Sequence, residues 1–294
     1  MKLGAAFSNT NMGTDFGLIR DVAQSLEEAG FDSITTNDHV VGGHPDRAAG
    51  EKVHTSATAV HEPLVLLSFL GAVTRRVELV TGVLLLPQRQ TTLVAKQCAE
   101  LDLLSGGRLR LGVGVGRNWM EYEALGEDFT NRGRRIEEQV EVLRRYWTDE
   151  HVTFEGRWHH LDRVGLNPMP IQRPIPIWMG SFFGFVVERV LERIGRLADG
   201  WMPQFPPGEL APVLDRVRGY ALAAARDPAS LGIECGIRAA PGDDPQSWVD
   251  LAHAYRDLGA THLKVLTMGR GLDTPEAHRD TMLRWYAAVR PALA

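Results

Sequence analysis

The sequence predicts an α/β protein, and within that class a (β/α)8 TIM barrel. Three observations carry the prediction. Strand-like and helix-like segments alternate eight times along 294 residues, the rhythm of parallel strands joined by helical crossovers. The length suits one α/β barrel. No strand leads into a full dinucleotide fingerprint, which disfavours the rival open, doubly wound sheet. No low-complexity linker divides the chain, so residues 1–294 are read as one domain.

The elements follow in order. Residues 2–7 are short and apolar, as a buried strand is. Residues 14–29 place Phe16, Ile19, Val22, Ala23 and Leu26 at helical spacing and stop at Gly30. Residues 31–36 form the second strand, followed by a long polar stretch over 38–60. Residues 61–74 read as a helix with Pro63 in its first turn, where proline is tolerated. Residues 77–86, β-branched and leucine-rich, are the third strand, 91–104 a helix and 108–115 the fourth strand. Residues 119–147 are mostly helical, with a break near 126–133. The fifth strand, 175–179, follows the proline-rich NPMPIQRP. A helix over 185–198, a short sixth strand at 200–202 and a helix over 210–225 come next. The seventh strand (231–239), a helix (245–258), the eighth strand (262–268) and a last helix (275–289) complete the series.

Composition narrows the function. The net charge is −5 with no basic stripe, so nucleic acid is not an expected partner. Two cysteines, Cys98 and Cys235, offer neither a disulfide framework nor a zinc cluster. The longest apolar run, near residues 64–73, is about half the ~20 residues of a membrane span. The N-terminus lacks a signal-peptide pattern. A cytoplasmic protein without membrane or metal is the expectation.

In a barrel of this kind chemistry sits where the strands end. The predicted ends are Ser8-Asn9, Asn37-Asp38-His39, Leu86-Pro87, Gly116-Arg117-Asn118, Gly180-Ser181, Met202-Pro203, Arg238 and Met268. Asp38 and His39 put a carboxylate beside an imidazole that titrates near neutral pH; a turn leaving the strand is the plainer reading. Gly82 inside a strand marks a bulge or a close backbone approach to a ligand. Gly112, Gly114 and Gly116 leave one strand face without side chains, so either large neighbours or a ligand lie against it. A phosphate at Gly116 would meet backbone amides and a helix start. Ser181 reads as a helix N-cap or as a phosphate donor. The other histidines, His44, His54, His61, His159 and His160, lack metal-ligand spacing.

Taken together, these stretches resemble the luciferase-like monooxygenase superfamily, in particular its single-chain members that use the deazaflavin coenzyme F-420. The residues that carry the resemblance are Asp38-His39, Thr81-Gly82-Val83, LLPQRQTTLVAKQCAELDLLSGGRLRLGVGVG and PIPIWMGSFFGFVVERVLERIGRLADGWMP. It covers residues 1–205 and, more loosely, the remainder. It implies a luciferase-like barrel with an insertion near residues 153–174, between strands four and five. It implies a non-prolyl cis peptide at Gly82-Val83, in a bulge that supports the cofactor ring. Thr81, Gly82, Val83, Gly114, Val115, Gly116, Asn118, Gly180 and Ser181 become the cofactor-binding set, with the ribityl phosphate near Val115-Gly116 and Gly180-Ser181. Asp38 and His39 become the catalytic pair, His39 acting on the substrate and Asp38 tuning it.

The implied function is hydride transfer between coenzyme F-420 and a small organic substrate. One alternative is an FMN-dependent monooxygenase using oxygen and a separate reductase. The other is a non-catalytic flavin or deazaflavin binder. A homodimer through the helices after strands two and three is also implied, although LVLLSFLGAV equally suits a core-facing helix. Departures from the relatives include Arg117, where many have Trp, and Gly180-Ser181, where many have Gly-Gly. Arg117 either meets an anionic group or lies on the surface.

Overall fold

The structure, a computed structural model, describes residues 1–7, 10–47, 54–181 and 185–294. The first predicted strand end, Ser8-Asn9, lies outside the described residues.

β1 (Lys2–Ala6) pairs in parallel with β2 (Ser33–Thr36). Between them runs α1 (Phe16–Ala29). The Asp15 carboxylate caps it by accepting the amides of Gly17 and Leu18. It ends at Gly30, whose φ of 100° suits glycine. α2 (Pro63–Val73) carries proline in its first turn, as read from the sequence, and Glu62 caps it through the Val65 amide at 2.7 Å.

The third stave is in two pieces, β3 (Glu78–Thr81) and β4 (Leu84–Leu85), separated by a cis Gly82-Val83 peptide. After α3 (Thr91–Ser105), β5 (Leu109–Gly114) pairs with both pieces: Leu79 and Val80 face Leu109 and Arg110, and Leu84 and Leu85 face Val113 and Gly114. The long helical region after β5 splits into α4 (Trp119–Ala124) and α5 (Arg132–Thr148).

The insertion contains an antiparallel hairpin, β6 (Val152–Glu155) and β7 (His160–Val164), that the sequence reading left without elements. The barrel resumes with β8 (Ile177–Gly180), α6 (Glu188–Leu197), β9 (Gly200–Met202), α7 (Pro207–Ala223), β10 (Gly232–Arg238), α8 (Pro245–Asp257), β11 (His262–Leu266) and α9 (Pro275–Ala292). β8 pairs with β5, and β11 returns to β1, so eight parallel staves close on themselves. The fold is a (β/α)8 TIM barrel, as the alternation predicts.

Outward strand residues such as Leu3, Ile34, Leu79, Leu111 and Val265 are fully buried in the apolar layer shared with the helices. The inside of the barrel is different. Arg110 from β5, Trp178 from β8, Glu234 from β10 and Lys264 from β11 meet there. Arg110 Nη2 donates to Glu234 Oε2 at 2.7 Å and stacks 4.3 Å from the Trp178 ring, while Lys264 Nζ lies 2.8 Å from Glu234 Oε1. Trp178 lies across two glycines, Gly200 and Gly232, where any Cβ would collide with its indole.

Candidate active site

A cavity of about 410 Å³ opens where the staves end. Asn37, Asp38 and His39 reach it from the end of β2, Gly82 and Val83 from the break between β3 and β4, and Gly114 to Arg117 from the end of β5. Gly180 and Ser181 follow β8, and Lys264 comes up from β11. Most of its accessible wall is apolar, with a few polar groups converging, as ligand cavities commonly are.

The shelf of the cavity is the Val83 side chain. A Cβ on Gly114 would stand 2.5 Å from Val83 Cγ2, and one on Gly180 2.8 Å from Val83 Cγ1. These two glycines therefore form the notch that seats Val83. Gly112 is bare for another reason: a Cβ there would strike the Thr81 carbonyl at 2.0 Å. Of the two sequence readings of the alternate glycines, neighbouring main chain explains Gly112, while a neighbouring side chain, Val83, explains Gly114, as it does Gly180 in β8. The ligand-facing surface arises one step later, through the valine they accommodate. Gly116 has a φ of 62° and turns the chain at the cavity wall.

His39 is oriented by a residue absent from the sequence reading. Its Nδ1 is 3.2 Å from both oxygens of Glu121, on α4. Glu121 is fully buried and also accepts the Val40 amide at 2.9 Å. A carboxylate at Nδ1 places the proton of the neutral ring there and leaves Nε2 for the cavity. Asp38 was expected to tune His39, but its carboxylate is engaged elsewhere. It accepts from Arg89 Nη2 and from the Leu85 amide, both at 2.8 Å, and Arg89 is held in turn by Glu62. Burial pushes the Asp38 carboxyl up, against the pull of Arg89 and the Leu85 amide. Asp38 thus fastens the chain just after the Gly82-Val83 turn.

His54 approaches His39 with ring centroids 3.9 Å apart. Burial, and then the neighbouring His39, draws its pKa down, so His54 stays neutral near pH 7. Of the two rings, His39 is the one in contact with the Glu121 carboxylate.

Three expected site residues are placed differently. Thr81 is fully buried off the cavity wall and donates its hydroxyl to the Gly112 carbonyl at 2.7 Å, tying β3 to β5. Asn118 is buried and caps α4 through the Met120 amide at 3.3 Å; it does not line the cavity. Ser181 does line the cavity, yet it is not a helix cap. Its hydroxyl accepts from Trp201 Nε1 at 3.1 Å, and α6 begins only at Glu188. A tertiary partner has taken the hydroxyl, and residues 182–184 lie outside the described residues. Arg117 is exposed and lines the cavity. Among the described residues, no cluster of three metal-ligating side chains is present, and no helix is long and apolar enough to cross a membrane.

A closed barrel with an interrupted third stave, a valine shelf and a histidine at the strand ends defines a class of protein. The chain belongs to the luciferase-like monooxygenase family, whose sequence model matches residues 1–290. A protein of uncharacterised function from Mycobacterium tuberculosis is 35% identical over 219 residues, 72% of this chain and 74% of that one. An F-420-dependent glucose-6-phosphate dehydrogenase from Nakamurella multipartita is 35% identical over 188 residues, 63% of this chain and 51% of that one. The solved structure of an F-420-dependent secondary alcohol dehydrogenase, in complex with an F-420–acetone adduct, shares the fold with a TM-score of 0.79. It is 18% identical and is matched over 98% of this chain and 99% of that one.

Proposed function

We propose that this protein is an oxidoreductase that moves a hydride between the deazaflavin coenzyme F-420 and a small organic substrate bearing a hydroxyl or carbonyl group. The observation that carries the reading is the cavity itself. An apolar shelf suited to a flat ring stands in the same space as a histidine whose orientation is fixed by a buried carboxylate. The residues fit such a cofactor: the Gly114 and Gly180 notch keeps Val83 low, and the turn at Gly116 brings main chain to the wall. The names of two similar proteins, both F-420-dependent dehydrogenases, agree with it.

Bound coenzyme F-420 supplies two-electron hydride chemistry; the protein binds, orients and excludes water. Val83 would support the ring, and Gly116, Gly180 and Ser181 would hold its ribityl phosphate. His39 handles the accompanying proton. When a substrate C–H bond breaks with its electron pair, the hydroxyl proton passes to His39 Nε2, and the reverse reaction returns it. Glu121 holds the imidazole in the tautomer that can accept this proton and balances the charge that results.

The test is a titration of the purified protein with oxidised F-420 and with FMN, followed by turnover of His39→Ala on simple alcohols. Tighter binding of F-420, and a loss of turnover on the order of 10²-fold or more in the variant, are expected. Preference for FMN with oxygen-dependent turnover would favour a monooxygenase instead. Unchanged turnover and pH profile in His39→Ala would remove the proton-transfer role.

A further inference from the structure

We infer that Lys264 is a cofactor contact: its ammonium, at the floor of the cavity, meets the electron-rich edge of the bound ring and favours the reduced form. The inference rests on the proposed function, since it concerns the cofactor named there.

Lys264 is 3% exposed and lines the cavity. Its Nζ stands 3.5 Å from the position a Cβ would take on Gly82, directly below the break beside Val83. An ammonium has three donors. Among the described residues Lys264 Nζ has one close partner, the Glu234 carboxylate at 2.8 Å. A buried charge is costly unless paired and hydrogen-bonded, and here donors remain that face the cavity.

The surrounding charges sharpen the argument. Glu234 is shared between Lys264 and Arg110, and Arg110 Nε also reaches Glu78 Oε2 at 3.3 Å. Lys2 joins Glu78 from the barrel base. Glu78 is thus balanced at the base by the exposed Lys2, while the two buried cations Arg110 and Lys264 share Glu234. His262, edge-on to Trp178 at 4.9 Å, adds no charge: burial, then the Arg110 guanidinium, brings its pKa down to about 4. Burial alone would push the Glu234 carboxyl up, but the two flanking cations pull it well below the usual carboxylate range. The buried trio thus holds two cations on one carboxylate, and Lys264 is the member that reaches the cavity wall. A ring that gains electrons becomes more electron-rich, and a fixed cation against it stabilises the reduced state more than the oxidised one.

The experiment compares the wild-type protein with Lys264→Met for binding of oxidised and reduced F-420, and in parallel FMN, with no substrate present. Reduced-form affinity is expected to fall more than oxidised-form affinity, lowering their ratio about tenfold. For a two-electron couple that ratio moves the bound midpoint potential by about 30 mV. An unchanged ratio would show that the Lys264 charge does not act on the bound ring and overturn the inference. Should Lys264→Met not fold, Lys264→Gln gives the same readout, because it keeps a donor but removes the charge. If the wild type binds neither cofactor, the proposed function fails and this inference with it. If it binds and the ratio does not move, this inference alone fails.

Discussion

Replacing Gly114 by alanine tests the valine shelf most directly. The backbone at Gly114 is open to any residue, since its φ is not positive. The new methyl would lie 2.5 Å from Val83 Cγ2, with Val83 the only side chain within 4 Å of it among the described residues. Val83 would have to retreat by about 1 Å to reach the ~3.5 Å of an ordinary carbon–carbon contact. On its other flank stands Gly180, whose own Cβ position is 2.8 Å from Val83 Cγ1. The remaining direction is into the cavity. Overpacking of this kind costs about 1–3 kcal/mol, which in a chain this size lowers Tm by about 2–4 °C per kcal/mol. A shelf raised into the ring site should also weaken cofactor binding by about tenfold, equivalent to about 1.4 kcal/mol. Val83→Ala removes both methyls that clash. In the Val83→Ala/Gly114→Ala double variant the penalty of the Gly114 change should therefore disappear. Melting curves of the four proteins and fluorescence titration with F-420 provide the measurement. Additive stability effects, within about 0.5 kcal/mol, would refute the notch.

Other expectations follow from the same geometry. Glu121→Gln should fold and bind cofactor normally but lose turnover on the order of 10- to 100-fold, as losing a carboxylate behind a working histidine does; wild-type kcat would show that Glu121 does not position His39. Asp38→Ala should cost about 3 kcal/mol in denaturant unfolding, near the low end for breaking a buried pair because Glu62 still holds Arg89; unchanged stability would show that the pair does not brace the turn. Glu27 accepts the amides of Arg75, Arg76 and Val77; although burial works against it, these bonds hold its carboxyl below the ordinary value. Its contribution is therefore complete above the unfolded value and is lost as pH falls through the folded one. Glu27→Gln should lose about 1–3 kcal/mol at pH 7, with the gap closing below about pH 4; a gap independent of pH would contradict this.

The alternation of elements was legible because the staves are largely apolar and helices such as α1, α2, α3, α8 and α9 have a capped start or a glycine stop, all local signals. Gly82 was legible as an interruption for the same reason. The hairpin of β6 and β7 was not, because its residues are half-exposed and its strands mix charged with apolar side chains. Ser181 misled because capping propensity is local, whereas its actual partner, Trp201, comes from the next stave. Glu121 lies 82 residues from His39 and meets it only because β2 and β5 flank the third stave; within EYEALG it looks like a polar helix position. Arg110, Glu234 and Lys264 did leave a trace. Arg110 and Lys264 are each the lone Asp/Glu/Lys/Arg of their strands and Glu234 is the one charge inside β10 short of its end at Arg238, and in a closed barrel such a charge has only the interior or the rim to occupy.

The two-part third stave has a consequence for parity. Val80 sits opposite Arg110, but Leu84 sits opposite Val113, so this stave spends one more residue than its neighbour over the same rise. Below the interruption the even-numbered Val80 packs with the interior Trp178; above it the odd-numbered Val83 and Leu85 look inward. Flattening the bulge at unchanged length would restore the even phase, turning Leu84 out of the helix layer into the chamber and sending Val83 away from it, whereas deleting one residue would remove the bulge and leave Leu84 opposite Val113. The extra residue thus decides which side chains of the upper stave face the chamber.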